Sequence, residues 1–129
     1  MSPTKTDKGS MAERLAIRYL KAHDFEIIDQ NVHLGKLAEL DIVAKKNTVY
    51  HIIEVKSLYN SKAKKEDLRF PFHNITPHKV GQLIRGVQLY CQKYNIQNDY
   101  TIDAIGIIVN PQKKQSWIQF LPNILEGRD

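Results

Sequence analysis

Two stretches of this chain, "VYHIIEVK" (49–56) and "YTIDAIGIIV" (100–109), are apolar at both odd and even positions. Successive side chains of a strand point to opposite faces, so a strand of this kind is stable only when covered on both sides. Both segments are therefore expected inside a sheet that carries other layers. Two helical segments can supply the cover. In "SMAERLAIRYLKAH", Met11, Ala12, Leu15, Ala16, Tyr19 and Leu20 fall on one helical face, and Ser10 with Glu13 has the spacing of a capping box. The second helix starts with Thr76 as N-cap and Pro77 at its first position. Its apolar stripe is Val80, Leu83, Ile84, Val87, Tyr90, Cys91 and Tyr94, with Tyr90 and Tyr94 read as core rather than as base-stacking platforms.

The remaining segments complete one domain. "FEIIDQNVH" (25–33) reads as a strand. "LAELDIVA" alternates, with Leu37, Glu39, Asp41 and Val43 on one side and Ala38, Leu40, Ile42 and Ala44 on the other. The polar "KKNT" closes a hairpin onto residues 48–57, and "SWIQFL" reads as an edge strand after the turn "NPQKKQ". Residues 59–75 have no period and carry Lys62, Lys64, Lys65 and Arg69, as expected of a long basic loop. The fold expected is α/β: a mixed central sheet flanked by helices, in the order α-β-β-β-α-β-β. With 129 residues the chain divides into a tail (1–8), one domain (9–122) and a C-terminal tail (123–129).

Composition narrows the setting. No run of about 18 uncharged apolar residues exists, and the N-terminus has no apolar signal core, so no membrane association is expected. A single cysteine, Cys91, cannot form an intramolecular disulfide, so a reducing, cytoplasmic location is the expectation. The net charge of +5 suits a polyanionic partner such as nucleic acid.

The charges on the apolar strands carry the functional reading. Glu54 and Lys56 share one face of their strand, and Glu39 and Asp41 share a face of the strand before it. A hairpin closing near residues 45–48 brings positions 41 and 54 side by side. Two adjacent carboxylates repel, and a divalent cation resolves the conflict. Mg²⁺ takes one or two carboxylates together with water and phosphate oxygens. A lysine beside it can orient a water or take its proton, and the set describes phosphodiester hydrolysis.

These residues resemble a known pattern. Asp41, then Glu54-Val55-Lys56 thirteen residues on, in a hairpin after a helix carrying Glu13, is similar to the PD-(D/E)xK nuclease superfamily. More narrowly, Gly9, Glu13, Tyr19-Leu20, "AELDIV", "IEVK", Thr76, Lys79 and Ile102-Asp103 resemble the YraN-like family of bacterial proteins, which are similar to archaeal Holliday junction resolvases. The likeness runs from about Gly9 to Leu121. Ala12 and Ala38 stand where that family has glycine, and Ser57-Leu58 where it has threonine and arginine.

The resemblance implies a restriction endonuclease-like core. Asp41, Glu54 and the Val55 carbonyl would hold Mg²⁺, for which Mn²⁺ can substitute, and Lys56 would act on the water. Glu13 is either a ligand through water or a capping-box partner. Glu39 is either a further acidic group at the metal or a partner of Lys56. Lys79 is either a phosphate contact or a solvated first-turn lysine, while Asp103 is expected to make a structural hydrogen bond. Lys62, Lys64, Lys65 and Arg69 would contact phosphates, of DNA in preference to RNA, and the resolvase likeness implies a homodimer. Two rival readings stand beside the nuclease: a non-catalytic nucleic-acid-binding module of the same fold, and an assembly factor whose carboxylates only pair internally.

Overall fold

The structure, a computed structural model, describes residues 5–36 and 38–125, except for the side chains of residues 5–8, 69, 70 and 74. Helix α1 (Lys5–Ala22) precedes β1 (Glu26–Leu34), β2 (Ala38–Lys46) and β3 (Val49–Tyr59). A 3-10 segment (Lys65–Asn74) leads into α2 (Pro77–Tyr94), followed by β4 (Tyr100–Asn110) and β5 (Gln115–Leu121). The five strands form one sheet in the order β1-β2-β3-β4-β5. Only β3 and β4 are parallel; the other three pairs are antiparallel. A parallel pair needs a long crossover, which the 3-10 segment and α2 supply. The fold is the mixed α/β arrangement expected from the sequence, in the expected order.

The doubly apolar strands lie where their pattern requires. On one face α1 sets Ala12, Ala16 and Leu20 against Ile42, Ala44, Ile53, Ile105 and Ile107. On the other, α2 sets Val80, Leu83, Val87 and Tyr90 against Leu40, Val43, Ile52, Ile102 and Ala104. Neighbouring residues such as Ile52 and Ile53 thus serve opposite cores, which is why both had to be apolar. Helix α2 opens as expected, with Thr76 Oγ1 accepting the Lys79 N–H at 3.2 Å and Pro77 in the first turn. Among the described residues no helix is long and apolar enough to cross a membrane.

Four local expectations need correction. Helix α1 begins at Lys5, so Ser10 lies inside it and makes no capping box; Gly9 costs a helix only about 1 kcal/mol, too little to stop it. Residues 1–4 of the expected tail lie outside the described residues. The basic segment 59–75 is built structure: β3 runs on to Tyr59, and the 3-10 segment packs on the sheet. Phe72 lies so close to Gly106 that a Cβ there would stand 2.7 Å from its ring. The entry to this segment is tied down by Asn60 N–H to the Val109 carbonyl (3.0 Å) and Asn110 Nδ2 to the Ala63 carbonyl (2.9 Å). A 3-10 run has three residues per turn, so it shows neither the strand nor the α period.

At the other end, Asn123 and Ile124 are docked rather than loose. The Asn123 N–H donates to Asp103 Oδ1 and the Ile124 N–H to the Ile102 carbonyl, both at 2.7 Å. Residues 126–129 lie outside the described residues. Tyr90 is core, but Tyr94 is 50% exposed.

Candidate active site

The site forms where the β2–β3 hairpin stops behaving as a ladder. The two-residue turn Asn47-Thr48 uses Asn47 at φ +57°, a left-handed conformation that asparagine tolerates. Pairing runs from Lys46–Val49 to Ile42–Ile53 and ends there. One residue further, Asp41 Oδ2 accepts the Val55 N–H at 2.9 Å, so a carboxylate replaces the next backbone partner. Strict alternation of β2 also breaks here: Leu40 packs with Val43 on the α2 side, whereas Ile42 and Ala44 pack on the α1 side. Glu39 consequently does not join Asp41. It is exposed, and its nearest described charge partner is His33 Nε2 at 4.0 Å.

Glu54 is the buried centre, at 3% exposure. Its neighbour across the parallel ladder is Ala104, small enough to leave room for the carboxylate. Lys56 Nζ and Lys79 Nζ both lie 3.5 Å from Glu54 Oε1. Lys79 reaches it because α2 sits tightly on β2: a Cβ on Gly86 would stand 3.0 Å from Ala38 Cβ and Leu40 Cδ2. That close approach carries the first turn of α2 over Glu54, so Lys79 is not merely a solvated first-turn lysine. The second oxygen, Glu54 Oε2, is buried with no hydrogen-bond partner among the described residues. An unsatisfied buried carboxylate oxygen is costly unless something positive meets it.

Asp41 registers the same crowding. Burial, and then the charge of Glu54, push its carboxyl up to about 7; Glu13 adds to the rise, while the Val55 N–H and Lys79 oppose it. The folded protein then holds a proton on Asp41 over a range where the unfolded chain has lost it. Stability therefore falls as pH rises from the ordinary carboxylate value of 3.8 toward 7. The melting temperature of metal-free protein is expected to drop between about pH 5 and about pH 7.5 more steeply than that of an Asp41→Asn variant. Equal slopes would contradict this account of the pocket.

The other candidates divide into those near the site and those apart from it. Glu13 lies near enough to act on Asp41 and accepts a hydrogen bond from Asn31 Nδ2 at 3.1 Å, a partner the sequence did not suggest. Val55 lies between Glu54 and Lys56 with its N–H given to Asp41. Lys62, Lys64 and Lys65 are exposed, and no described contact joins them to the carboxylates. The side chain of Arg69 lies outside the described residues. Among the described residues no three His, Cys, Asp or Glu side chains form a group that could enclose a metal by themselves. The donors present are thus two carboxylates, with Glu13 further out.

A second polar cluster lies on the opposite face of β3 and was not read from the sequence. His51 Nδ1 meets Asp103 Oδ2 at 2.6 Å, Thr101 Oγ1 lies 3.0 Å from the same nitrogen, and Thr101 also donates to Asp103. With the Asn123 N–H this gives Asp103 the structural hydrogen bonds expected of it. The available signal was that His51 pairs with Thr101 and Ile53 with Asp103 once β3 and β4 are set parallel.

Fold and site together define a mixed sheet covered by a helix on each face, which presents an Asp, Glu-x-Lys pocket at the end of a hairpin. The chain belongs to a family described as uncharacterised protein family UPF0102, whose model matches residues 12–107; this is the YraN-like family of the sequence resemblance. It is similar to a UPF0102 protein of Aliarcobacter butzleri, with 39% identity over 79% of this chain and 86% of that one. A UPF0102 protein of Campylobacter hominis is 34% identical, covering 90% of this chain and 91% of its own. One from a Sulfurovum species is 32% identical over the same shares.

Proposed function

We propose that this protein is a metal-dependent nuclease that hydrolyses phosphodiester bonds in DNA, with branched or structured DNA as the favoured substrate. The observation that carries the reading is the state of Glu54: one oxygen faces two lysines, and the other is buried without a partner beside a second carboxylate. Internal pairing with Lys56 and Lys79 accounts for Oε1, but not for the unpartnered Oε2 or for Asp41 set against Glu54. The donors are hard oxygens, and two carboxylates with the Val55 carbonyl suit Mg²⁺, which usually retains several waters. Mn²⁺ would substitute, and Glu13 would contribute through water. When bound, the cation supplies positive charge for the phosphate oxygens and raises the acidity of a water.

The chain's own groups do the rest. Asp41 is held in place by the Val55 N–H, so the carboxylate is oriented before any ligand arrives. Lys56, anchored against Glu54, presents its N–H donors to a water or phosphate oxygen at the pocket. Lys79, fixed by the Thr76 cap, supplies a second ammonium on the α2 side for the charge of the phosphate. The apolar faces of β2 and β3 keep these groups in place, since moving them would unpack both cores.

Cation binding is the direct test. Saturation at a hundred times the dissociation constant adds about 2.7 kcal/mol of stability, several degrees in melting temperature. Mg²⁺ or Mn²⁺ is expected to raise the melting temperature of wild-type protein by that order and to leave Asp41→Ala unmoved. A wild-type protein indifferent to both cations would refute the site and favour the assembly-factor reading. Salt-sensitive DNA binding without turnover would favour the non-catalytic module.

A further inference from the structure

The sequence suggested the segment 59–75 as the surface for nucleic acid, but the structure draws attention to a different one. A cleft of 560 Å³ runs along α1 where it faces β1, lined by Ser10, Glu13, Arg14, Ile17, Arg18, Lys21 and Gln30. Arg14, Arg18 and Lys21 are exposed and follow one another at four- and three-residue intervals, on a single helical stripe. None of the three has an acidic partner among the described residues. Lys21 suits the C-terminal turn of α1. The like charges of Arg14 and Arg18, four residues apart, nevertheless weaken the helix by a few tenths of a kcal/mol, so helix stability does not account for the stripe. Among the described residues its only acid is Glu13, which also acts on Asp41.

A smaller cleft of 260 Å³ lies on the α2 side, lined by His33, Gly35, Lys36, Ala38, Glu39, Lys79, Gln82 and Leu83. Each cleft thus lends one residue to the surroundings of Asp41: Glu13 from the first, Lys79 from the second. A linear polyanion lying in the α1 cleft would reach Glu13 and the surroundings of Asp41 at one end, while Lys36 and Lys79 are the cations of the second cleft. From Arg14 to Lys21 the helix rises about 10 Å, which at about 3.4 Å per nucleotide corresponds to some three nucleotides of one strand.

We propose that the α1–β1 cleft seats the backbone of the DNA strand to be cut, with Arg14, Arg18 and Lys21 each meeting a phosphate on the approach to the carboxylates. This rests on the nuclease reading for the word "cut" but not for the contact itself. Phosphate contacts of this kind give affinity and register without reading sequence.

Binding measured without a cation separates the two. Fluorescence anisotropy of a labelled 20-base-pair duplex, in EDTA and across a salt series, is expected to show Arg18→Gln/Lys21→Gln binding at least about tenfold more weakly than wild type. Its log–log salt slope should be smaller by about two, one per lost phosphate contact. Both side chains are exposed, so the melting temperature should not change. Lys113→Gln/Lys114→Gln, in the β4–β5 turn, removes the same charge elsewhere and should leave the slope within about half a unit of wild type. If the α1 pair loses no more than the turn pair, or if wild-type protein binds the duplex with no salt dependence, the cleft proposal is overturned. A protein that shows the expected α1 loss yet never cleaves with Mg²⁺ or Mn²⁺ supports the cleft and sinks the nuclease reading alone.

Discussion

Glu54→Gln is expected to lower metal-dependent DNA cleavage by about 10²–10³-fold or more while leaving the metal-free protein as stable as wild type, or more so. Removing one partner of a buried ion pair ordinarily destabilises by several kcal/mol, because the other charge is stranded. Here the partners are not stranded: the Lys56 and Lys79 side chains keep 26% and 29% of their exposure and can turn their ammonium groups to water. The introduced amide keeps an oxygen for them, and the Glu54 charge that adds to burial in pushing up the Asp41 carboxyl is gone. What disappears is the negative oxygen that a cation would use. Single-turnover cleavage of labelled DNA with Mg²⁺, set beside chemical denaturation in EDTA, reads both effects. Undiminished cleavage would sink the mechanism, and a stability loss above about 2 kcal/mol would make Glu54 a structural group.

Asp103→Ala should do the reverse. Asp103 is 1% exposed and satisfies the Asn123 N–H at 2.7 Å, Thr101 and His51 together. Its loss leaves the Asn123 N–H without its acceptor in a partly buried setting, and leaves Thr101 and His51 only each other, at 3.0 Å. The expected destabilisation is roughly 3 kcal/mol or more, worth about 10 °C in a domain of this size. Cleavage per folded molecule should be unchanged, because the cluster lies on the α1 side of β3 and Glu54 on the α2 side. Denaturant midpoints combined with activity measured well below the transition separate the two quantities. If activity vanishes while the fold persists, Asp103 belongs to the reaction and not only to the scaffold.

The two carboxylates look alike in the sequence: each ends or interrupts a strand apolar on both faces. Their roles diverge because of what surrounds them. Asp103 sits between a threonine, a histidine and a chain end that supply donors; Glu54 sits between two lysines and a second acid, with one oxygen left over. Lys79 makes the same point. A lysine in the first turn of a helix has no local reason to meet a strand residue 25 positions earlier. Gly86, two turns further along α2, decides it by letting the helix settle onto Ala38 and Leu40. The segment 59–75 was expected to be a loop, and its 3-10 structure went unseen for a related reason. Its lysines were visible, but the burial of Ala63, Pro71 and Phe72 against the sheet leaves no periodic trace.

The sequence by itself determined the interior strands, the two covering helices, the Thr76 cap, the element order and the meeting of Asp41 with Glu54. These follow from backbone geometry that is local: a period of two in strands, of 3.6 in helices, and a hairpin whose short turn sets its register. The tertiary structure alone decided that α1 starts at Lys5, that Glu39 turns to His33, that Lys79 meets Glu54 and Asn31 meets Glu13, and that Arg14, Arg18 and Lys21 line a cleft with Glu13. Those outcomes depend on how closely elements approach one another across the sheet, and no run of neighbouring residues encodes that distance.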